Sequence, residues 1–579
     1  MRELVNYLNT LHRLNGSNIN TTAEAGLVNK KYASQIIVKD EALIDSVIEA
    51  LENNGKVLLT GFAGDGKTTL AKLVADELTG ADVDFSETVI TFSAEEKKYV
   101  VIKDLSEISQ DKASDLILSQ LMAPDTSLLL VSNTGSIRTR LLDIYDHNHW
   151  HEVYRSKASF EAAILKGIEC NSETAEGNIE IGSIMIHTFN LVKRDNLKTA
   201  KQVLRKMLDL DDWNTDDEEE KNSVIHLNVS LMKANDYLAV DRMFYIYRKM
   251  YEYGTRLTMR NLIEHFAYTI TGNRNSFDKS YSNYIFFDNF FGVANPFAAE
   301  IEAIKCLNRY SFGNDVPSVW KRRIWNGIGD DKYPIQMPGE VQKIDRFAKL
   351  FSRESYLNCY YSLKDQSSVL RSVFFLNDVE EESFHMYLAS FLNSPAFWYF
   401  MENQEKQGSI SRKTIKALDR ILKRVMRDYC SGLRMQSDKT ESNDNIYITM
   451  ARKSKFVNQS TQIVLGVFSW DSNHIEIKTV KDSRDIYQYY LNLKNNSNTF
   501  DNRMVLNLPL LDYISQIDAG SPLEDRESIF QKRLENIKLM LLNNSPKIED
   551  DCIFVVYKDI QNKVNKVQYF IEDNQIDVE

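Results

Sequence analysis

A chain of 579 residues is longer than a single hydrophobic core usually supports, so two to four domains are expected. Its 43% hydrophobic and 26% charged residues, with only nine prolines, exclude a disordered, fibrous or low-complexity scaffold. A net charge of −12 excludes a protein that coats nucleic acid over its whole surface, although a local basic face remains compatible with it. The first segment, "MRELVNYLNTLHRLNGSN", has no apolar stretch followed by a small-residue cleavage site. No later run reaches bilayer-spanning length, so a cytoplasmic protein without a membrane partner is expected. The cysteines at 170, 306, 359, 430 and 552 lack paired spacing and read as reduced, partly buried thiols.

In "EALIDSVIEALENN", residues 41–54, the apolar positions Leu43, Val47, Ile48 and Leu51 recur at helical spacing, and Gly55 fits a C-terminal cap. The run "KVLLTG" then enters "GFAGDGKTT", residues 61–69, which leads into "LAKLVADELTG". This stretch fits G-x-x-x-x-G-K-[ST], with Gly61, Gly66, Lys67 and Thr68 in the defining positions. Glycines let the backbone curl so that its N–H groups, from Ala63, Gly64, Asp65, Gly66 and Thr69 among others, face phosphate oxygens at a helix N-terminus. Lys67 would neutralise the β- and γ-phosphates of ATP, and the Thr68 hydroxyl would ligate Mg²⁺.

The runs "TVITFS", "YVVIKD", "SLLLVSN" and "SIMIHTFNLV" follow, separated by polar or helical stretches, and predict a parallel sheet with helices on its faces. Asp104, at the end of "YVVIKD", is the candidate to hold the metal, or else it caps the next helix. Glu107 is the candidate catalytic base, although Leu105 stands where a carboxylate usually follows the aspartate directly. Asn133, at the tip of "SLLLVSN", would hold the attacking water, or serve as an ordinary turn residue. Arg138 and Arg140 follow it as candidates for reaching a neighbouring subunit's nucleotide. In "DHNHWHE", His147, His149 and His151 would share one face on a strand and make a zinc site conceivable, but the polar segment reads as a loop.

The acidic "DLDDWNTDDEEEK", residues 209–221, reads as a solvated loop and domain boundary. Beyond it the pattern is helical, and "GTRLTMRNLIEHFAYTITGN" offers Arg256 and Arg260 as nucleotide-sensing cations with Thr258 as helix cap. In "SRKTIKALDRILKRVMRDY", residues 411–429, Ile415, Leu418, Leu422, Val425 and Tyr429 form one stripe. Lys413, Lys416, Arg420, Lys423, Arg424 and Arg427 gather opposite it, either as a solvated face or as a surface for the DNA backbone. The last part mixes strands with two helices. The chain thus divides into a nucleotide domain with a helical lead-in (1–210), a helical lid (222–335), a helical region with the basic helix (336–435) and a C-terminal α+β domain (440–579).

The order P-loop, Asp-tipped strand, Asn-tipped strand resembles that of AAA+ ATPases, which implies an α/β P-loop NTPase fold with a parallel sheet and helical lid. On "GFAGDGKTTL", "VVIKDLSE", "YRKMYEYGTRLTMRNLIEHFAYTITG" and "LNLPLLDYISQIDAG", the chain resembles the DptF family, the P-loop component of phosphorothioation-dependent bacterial DNA restriction systems. That resemblance implies an ATPase working with other restriction subunits, a helicase-like motor among them, against DNA lacking the sulfur-modified backbone. The expectation is an ATP-dependent component of a restriction or antiphage complex that engages double-stranded DNA or partners. The rival readings are an oligomerising STAND-like signalling switch and a scaffold with a structural nucleotide.

Overall fold

The computed structural model describes residues 1–12, 30–103, 110–147, 154, 156–169, 176–280, 284–293, 295–313, 316, 363–377, 382–432, 444–450, 461–482, 484, 486–493, 502–520, 528–546, 548, 551–559, 564–572 and 575–578. They form two compact units, Met1–Asn393 with Asp482–Asp485, and Ser394–Lys481 with Ile486–Glu579.

The first unit opens with α1 (Arg2–Thr10), α2 (Lys30–Ile36) and α3 (Glu41–Asn54). Asp40 caps α3 by accepting the Leu43 N–H, and Gly55, at φ 67°, ends it where expected. Then come β1 (Lys56–Gly61), α4 (Lys67–Thr79), β2 (Val89–Ala94), β3 (Lys97–Ile102), α5 (Gln110–Met122) and β4 (Thr126–Asn133). They are followed by α6 (Thr134–His147), α7 (Lys157–Glu169), β5 (Glu176–Ile181) and β6 (Ile184–Asn190). The six strands make one sheet in the order β2-β3-β4-β1-β6-β5.

The inner four strands are parallel, but β2 and β5 run antiparallel at the two edges. The sequence-based expectation of an all-parallel arrangement is corrected at β2. Its link to β3 is only Glu95-Glu96, both at positive φ (47° and 65°), a hairpin turn too short for a parallel crossover.

Side chains alternate across the sheet. Leu58, Val100, Ile102, Leu128 and Leu130 pack on the face covered by α5, α6 and α7. Val57, Leu59, Val101, Leu129 and Val131 pack on the other, under α3 and α4. Burial on both faces explains why β1 and β4 read as unbroken apolar runs. Lys56, at the start of β1, is a buried charge in this apolar setting. Its buried ammonium donates to the carbonyls of Gln120, Ala123 and Thr126 at 2.7, 2.9 and 2.8 Å, closing the C-terminal end of α5 onto the sheet.

Helices complete this unit: α8 (Leu197–Leu208), α9 (Glu218–Lys221), α10 (Val224–Glu252), α11 (Met259–Thr271), α12 (Phe286–Phe290), α13 (Glu302–Leu307), α14 (Leu363–Leu376) and α15 (Glu382–Phe391). The acidic segment 209–221 is mostly exposed, as its charge suggests, but it is held to the core at particular residues. Trp213 is buried and donates its indole N–H to the Met207 carbonyl at 2.8 Å, while Glu220 is buried and accepts from Thr215 at 2.8 Å. A single tryptophan anchors the stretch because its apolar area outweighs the polarity of its neighbours. α10 is interrupted at Ala234–Tyr237, where Asn235, Asp236 and Tyr237 take left-handed φ of 50°, 51° and 64°.

The second unit holds α16 (Phe397–Glu405), α17 (Arg412–Ser431), α18 (Leu508–Asp518) and α19 (Ser528–Asn543). With them are β7 (Asn445–Thr449), β8 (Thr461–Ser469), β9 (Ile475–Lys481), β10 (Tyr487–Leu493), β11 (Asn502–Leu506), β12 (Cys552–Lys558), β13 (Val564–Glu572) and β14 (Gln575–Val578). Its strands form two sheets, β11-β10-β9 and β14-β13-β12-β8-β7, antiparallel throughout. Buried Asp512 in α18 accepts from Ser394 Oγ at 2.5 Å and Ala396 N–H at 2.8 Å, so the carboxylate terminates the turn that precedes α16.

The helical part of the first unit contains a titratable core. His265 in α11 is fully buried; Nε2–H donates to the Phe290 carbonyl at 2.8 Å, leaving Nδ1 to accept the Tyr247 hydroxyl at 2.7 Å. Burial pushes its pKa from 6.5 down to about 4. The unfolded chain therefore binds this proton more tightly than the folded one. The stability His265 contributes is complete above pH 6.5 and is lost as pH falls towards 4. We expect urea denaturation to show a loss on the order of 3 kcal/mol across that window from this group, and His265→Gln to flatten that part of the profile.

Candidate functional site

Five residues separate the end of β1 from α4, and the chain must turn sharply within them. Gly64 and Gly66 both sit at φ 89°, a left-handed conformation that only glycine adopts readily. Gly66 is also the N-cap of α4, so the N–H groups of the first turn, including those of Lys67, Thr68 and Thr69, point towards the loop without an intrahelical acceptor. Such a terminus attracts anions. Phe62, Ala63 and Thr69 are exposed and Thr68 is half-buried, so the loop is open to solvent on one side.

Lys67 is buried, and its ammonium reaches back into the loop. It donates to the Phe62 carbonyl at 2.8 Å, to the Gly61 carbonyl at 3.4 Å and to Asn133 Oδ1 at 2.8 Å. Asn133 is there because β4 pairs with β1 in parallel, placing it opposite Gly61 in register. One residue earlier in β1, Thr60 shares a 3.0 Å hydrogen bond with Thr134, the first residue of α6. The structure thus brings Lys67 and Asn133 together, although 66 positions separate them in the chain.

Asp65 is turned inwards, its side chain 1% exposed. Oδ2 accepts the Phe62 N–H at 2.9 Å and Oδ1 accepts from Arg256 Nη1 at 2.8 Å. Arg256 uses Nη2 on the Leu191 carbonyl, just past β6, at 2.9 Å. Arg260 behaves differently. Its backbone N–H donates to the Gly64 carbonyl at 3.0 Å, while its buried Nε has no hydrogen-bond partner among the described residues. Thr258 caps α11 as expected, forming a reciprocal capping box with Asn261. The two lid arginines expected from the sequence therefore both reach the glycine loop, one through a carboxylate and one through the backbone. The Asp65–Arg256 pair itself leaves no signal in the sequence, since 191 positions separate its members.

Asp104 and Glu107 lie outside the described residues. β3, which leads towards them, pairs with β4 on the side away from β1. Arg138 forms an ion pair with Glu161, and Arg140 lies 4.0 Å from Asp143, so both have acidic neighbours within their own unit. The side chain of His147, and all of His149 and His151, also lie outside the described residues; among those described, no group of His, Cys, Asp and Glu is arranged to hold a metal.

The basic helix α17, in the second unit, buries Leu418, Leu422 and Val425, while Ile415 and Tyr429 are half-buried. Ser411 caps its start and Gly432, at φ 67°, ends it. Lys413, Lys416, Arg420 and Arg424 are exposed. Lys423 pairs with Asp444, Arg424 with Asp518 at 2.6 Å, and Arg427 lies 4.0 Å from Asp428. The acids draw charge away from one end of the stripe. Among the described residues, neither Lys416 nor Arg420 has a carboxylate partner.

No family model, no curated protein and no solved structure matches the chain.

A Cβ on Gly64 would lie 2.9 Å from the Arg260 Cβ and 3.0 Å from the Thr258 hydroxyl. Gly64→Ala therefore adds a left-handed alanine and a clash with the start of α11. We expect it to destabilise the fold by roughly 1–3 kcal/mol in urea titration; an unchanged midpoint would show that α11 does not rest on the loop.

Proposed function

We propose that the chain binds ATP with Mg²⁺ at the loop Gly61–Thr69 and hydrolyses it, as the nucleotide-driven component of a bacterial DNA restriction or antiphage complex. The observation that carries the nucleotide reading is the placement of Lys67. A buried ammonium lies beside the open N-terminus of α4, under a loop bent by two glycines in the left-handed region, with Asn133 in contact.

The residues present fit the nucleotide and its metal. The N–H groups at the start of α4 and the unpartnered Arg260 Nε offer donors to phosphate, and Thr68 stands in the first turn with a hydroxyl for the metal. Mg²⁺, when bound, supplies neutralisation of the charge on the phosphate oxygens. Lys67, which holds the Phe62 and Gly61 carbonyls in this structure, exchanges them for phosphate oxygens. Asn133, released from Lys67, is left with an amide able to orient water. Asp104 is assigned to holding the metal and Glu107 to receiving the proton of that water, both on their position in the sequence after β3.

The restriction context rests on the resemblance to the DptF family. It assigns the chain partners among other restriction subunits, including a helicase-like motor. Lys416 and Arg420 on α17 supply a surface for the phosphates of double-stranded DNA, contributing affinity without sequence choice.

Steady-state ATP hydrolysis, with and without double-stranded DNA, tests the reading. Lys67→Ala is expected to abolish ATP binding, and Asp104→Asn to retain binding while lowering turnover by about a hundredfold or more. Turnover that survives both substitutions would overturn the assignment. For α17, charge reversal at Lys416 and Arg420 is expected to weaken DNA binding and to reduce its dependence on salt concentration. The same change at Lys423, already paired with Asp444, should matter less; equal affinity in all three variants would remove the helix from DNA contact.

A further inference from the structure

The loop assigned to phosphates contains a carboxylate of its own. Asp65 is almost completely buried within it, and it occupies the Phe62 N–H, a donor that faces the same loop. Left uncompensated, a negative charge at this position would repel every phosphate oxygen that approached, and the low local polarity would strengthen the repulsion. Arg256 removes that charge. Its guanidinium joins the Asp65 carboxylate at 2.8 Å and the Leu191 carbonyl at 2.9 Å, so its two terminal nitrogens are held by acceptors of the protein itself. Its side chain is 12% exposed, and moving it onto a nucleotide would leave the Asp65 carboxylate buried and unpaired, the costly way to break such a pair.

Arg256 also joins three parts of the first unit. It lies between α10 and α11, on a linker fixed by Asn196, whose amide donates to the Leu257 carbonyl at 2.8 Å. From there it reaches the glycine loop on one side and the residue after β6 on the other. We propose that Arg256 is a positioning residue of the phosphate loop, held on Asp65 to cancel its charge, so that it supports ADP and ATP alike instead of sensing the terminal phosphate. This inference rests on the nucleotide reading of the loop.

Calorimetric titration of the full-length chain with Mg²⁺-ATP and with Mg²⁺-ADP provides the test, with thermal unfolding of each variant alongside. Arg256→Ala is expected to weaken both nucleotides alike, by about tenfold or more. Adding Asp65→Asn removes the carboxylate and is expected to restore most of that affinity, and Arg256→Lys to retain an intermediate level. A loss confined to ATP would overturn the inference, because it would place Arg256 on the terminal phosphate. A loss that persists in the Arg256→Ala, Asp65→Asn double variant would also overturn it, since the pair would then act by shaping the loop and not by cancelling charge. Wild-type protein that binds neither nucleotide would instead overturn the nucleotide reading itself.

Discussion

Parallel pairing of β1 with β4 on one side and β6 on the other is the constraint from which the candidate site follows. The strands are buried on both faces, so a shift of one residue would turn their side chains to the opposite core and is strongly disfavoured. With the register held, Asn133 must lie opposite Gly61, and the chain leaving β6 must pass the other flank of the loop at Leu191. The loop thus emerges between two fixed groups of polar acceptors. Lys67 takes one and Arg256 takes the other.

Charge is distributed around this loop with little redundancy. Lys67 and Arg256 are both largely withdrawn from solvent, and each is matched by specific acceptors. Desolvation offsets much of the attraction within such buried ionic groups, so each depends on the acceptors matched to it. The arrangement couples the glycine loop to the start of α11 in two ways: an ion pair through Asp65, and a backbone hydrogen bond from Arg260 to Gly64 that a side chain at residue 64 would obstruct. A ligand that moves the loop therefore acts on α11 through both connections.

The basic helix illustrates how a charge pattern changes meaning in three dimensions. Six cations lie along one side of α17 in the sequence, yet Asp444 and Asp518 arrive from distant positions to neutralise Lys423 and Arg424. What remains is a shorter band around Lys416 and Arg420. Periodicity reports which face of a helix is apolar, but it carries no information about which acids the fold delivers to the other.

Much of this molecule is legible from residues that lie close together in the chain. The helix at 41–54 with its glycine cap, the apolar strands, the glycine loop and the Thr258 cap all depend on local sterics and hydrogen bonding, and each appears where the sequence places it. β5 is not legible in this way because "EGNIEI" lies at a sheet edge, where alternation is weak, and Trp213 is hidden within an acidic run. The turn at Glu95-Glu96 sets the direction of β2 through backbone conformation that glutamates seldom adopt. The sequence by itself therefore determined the loop, its lysine and the helices that flank it. Only the tertiary structure decided that Asn133 touches Lys67 and that Arg256 neutralises Asp65, because those contacts come from strand order and register, properties of the sheet that no local stretch contains.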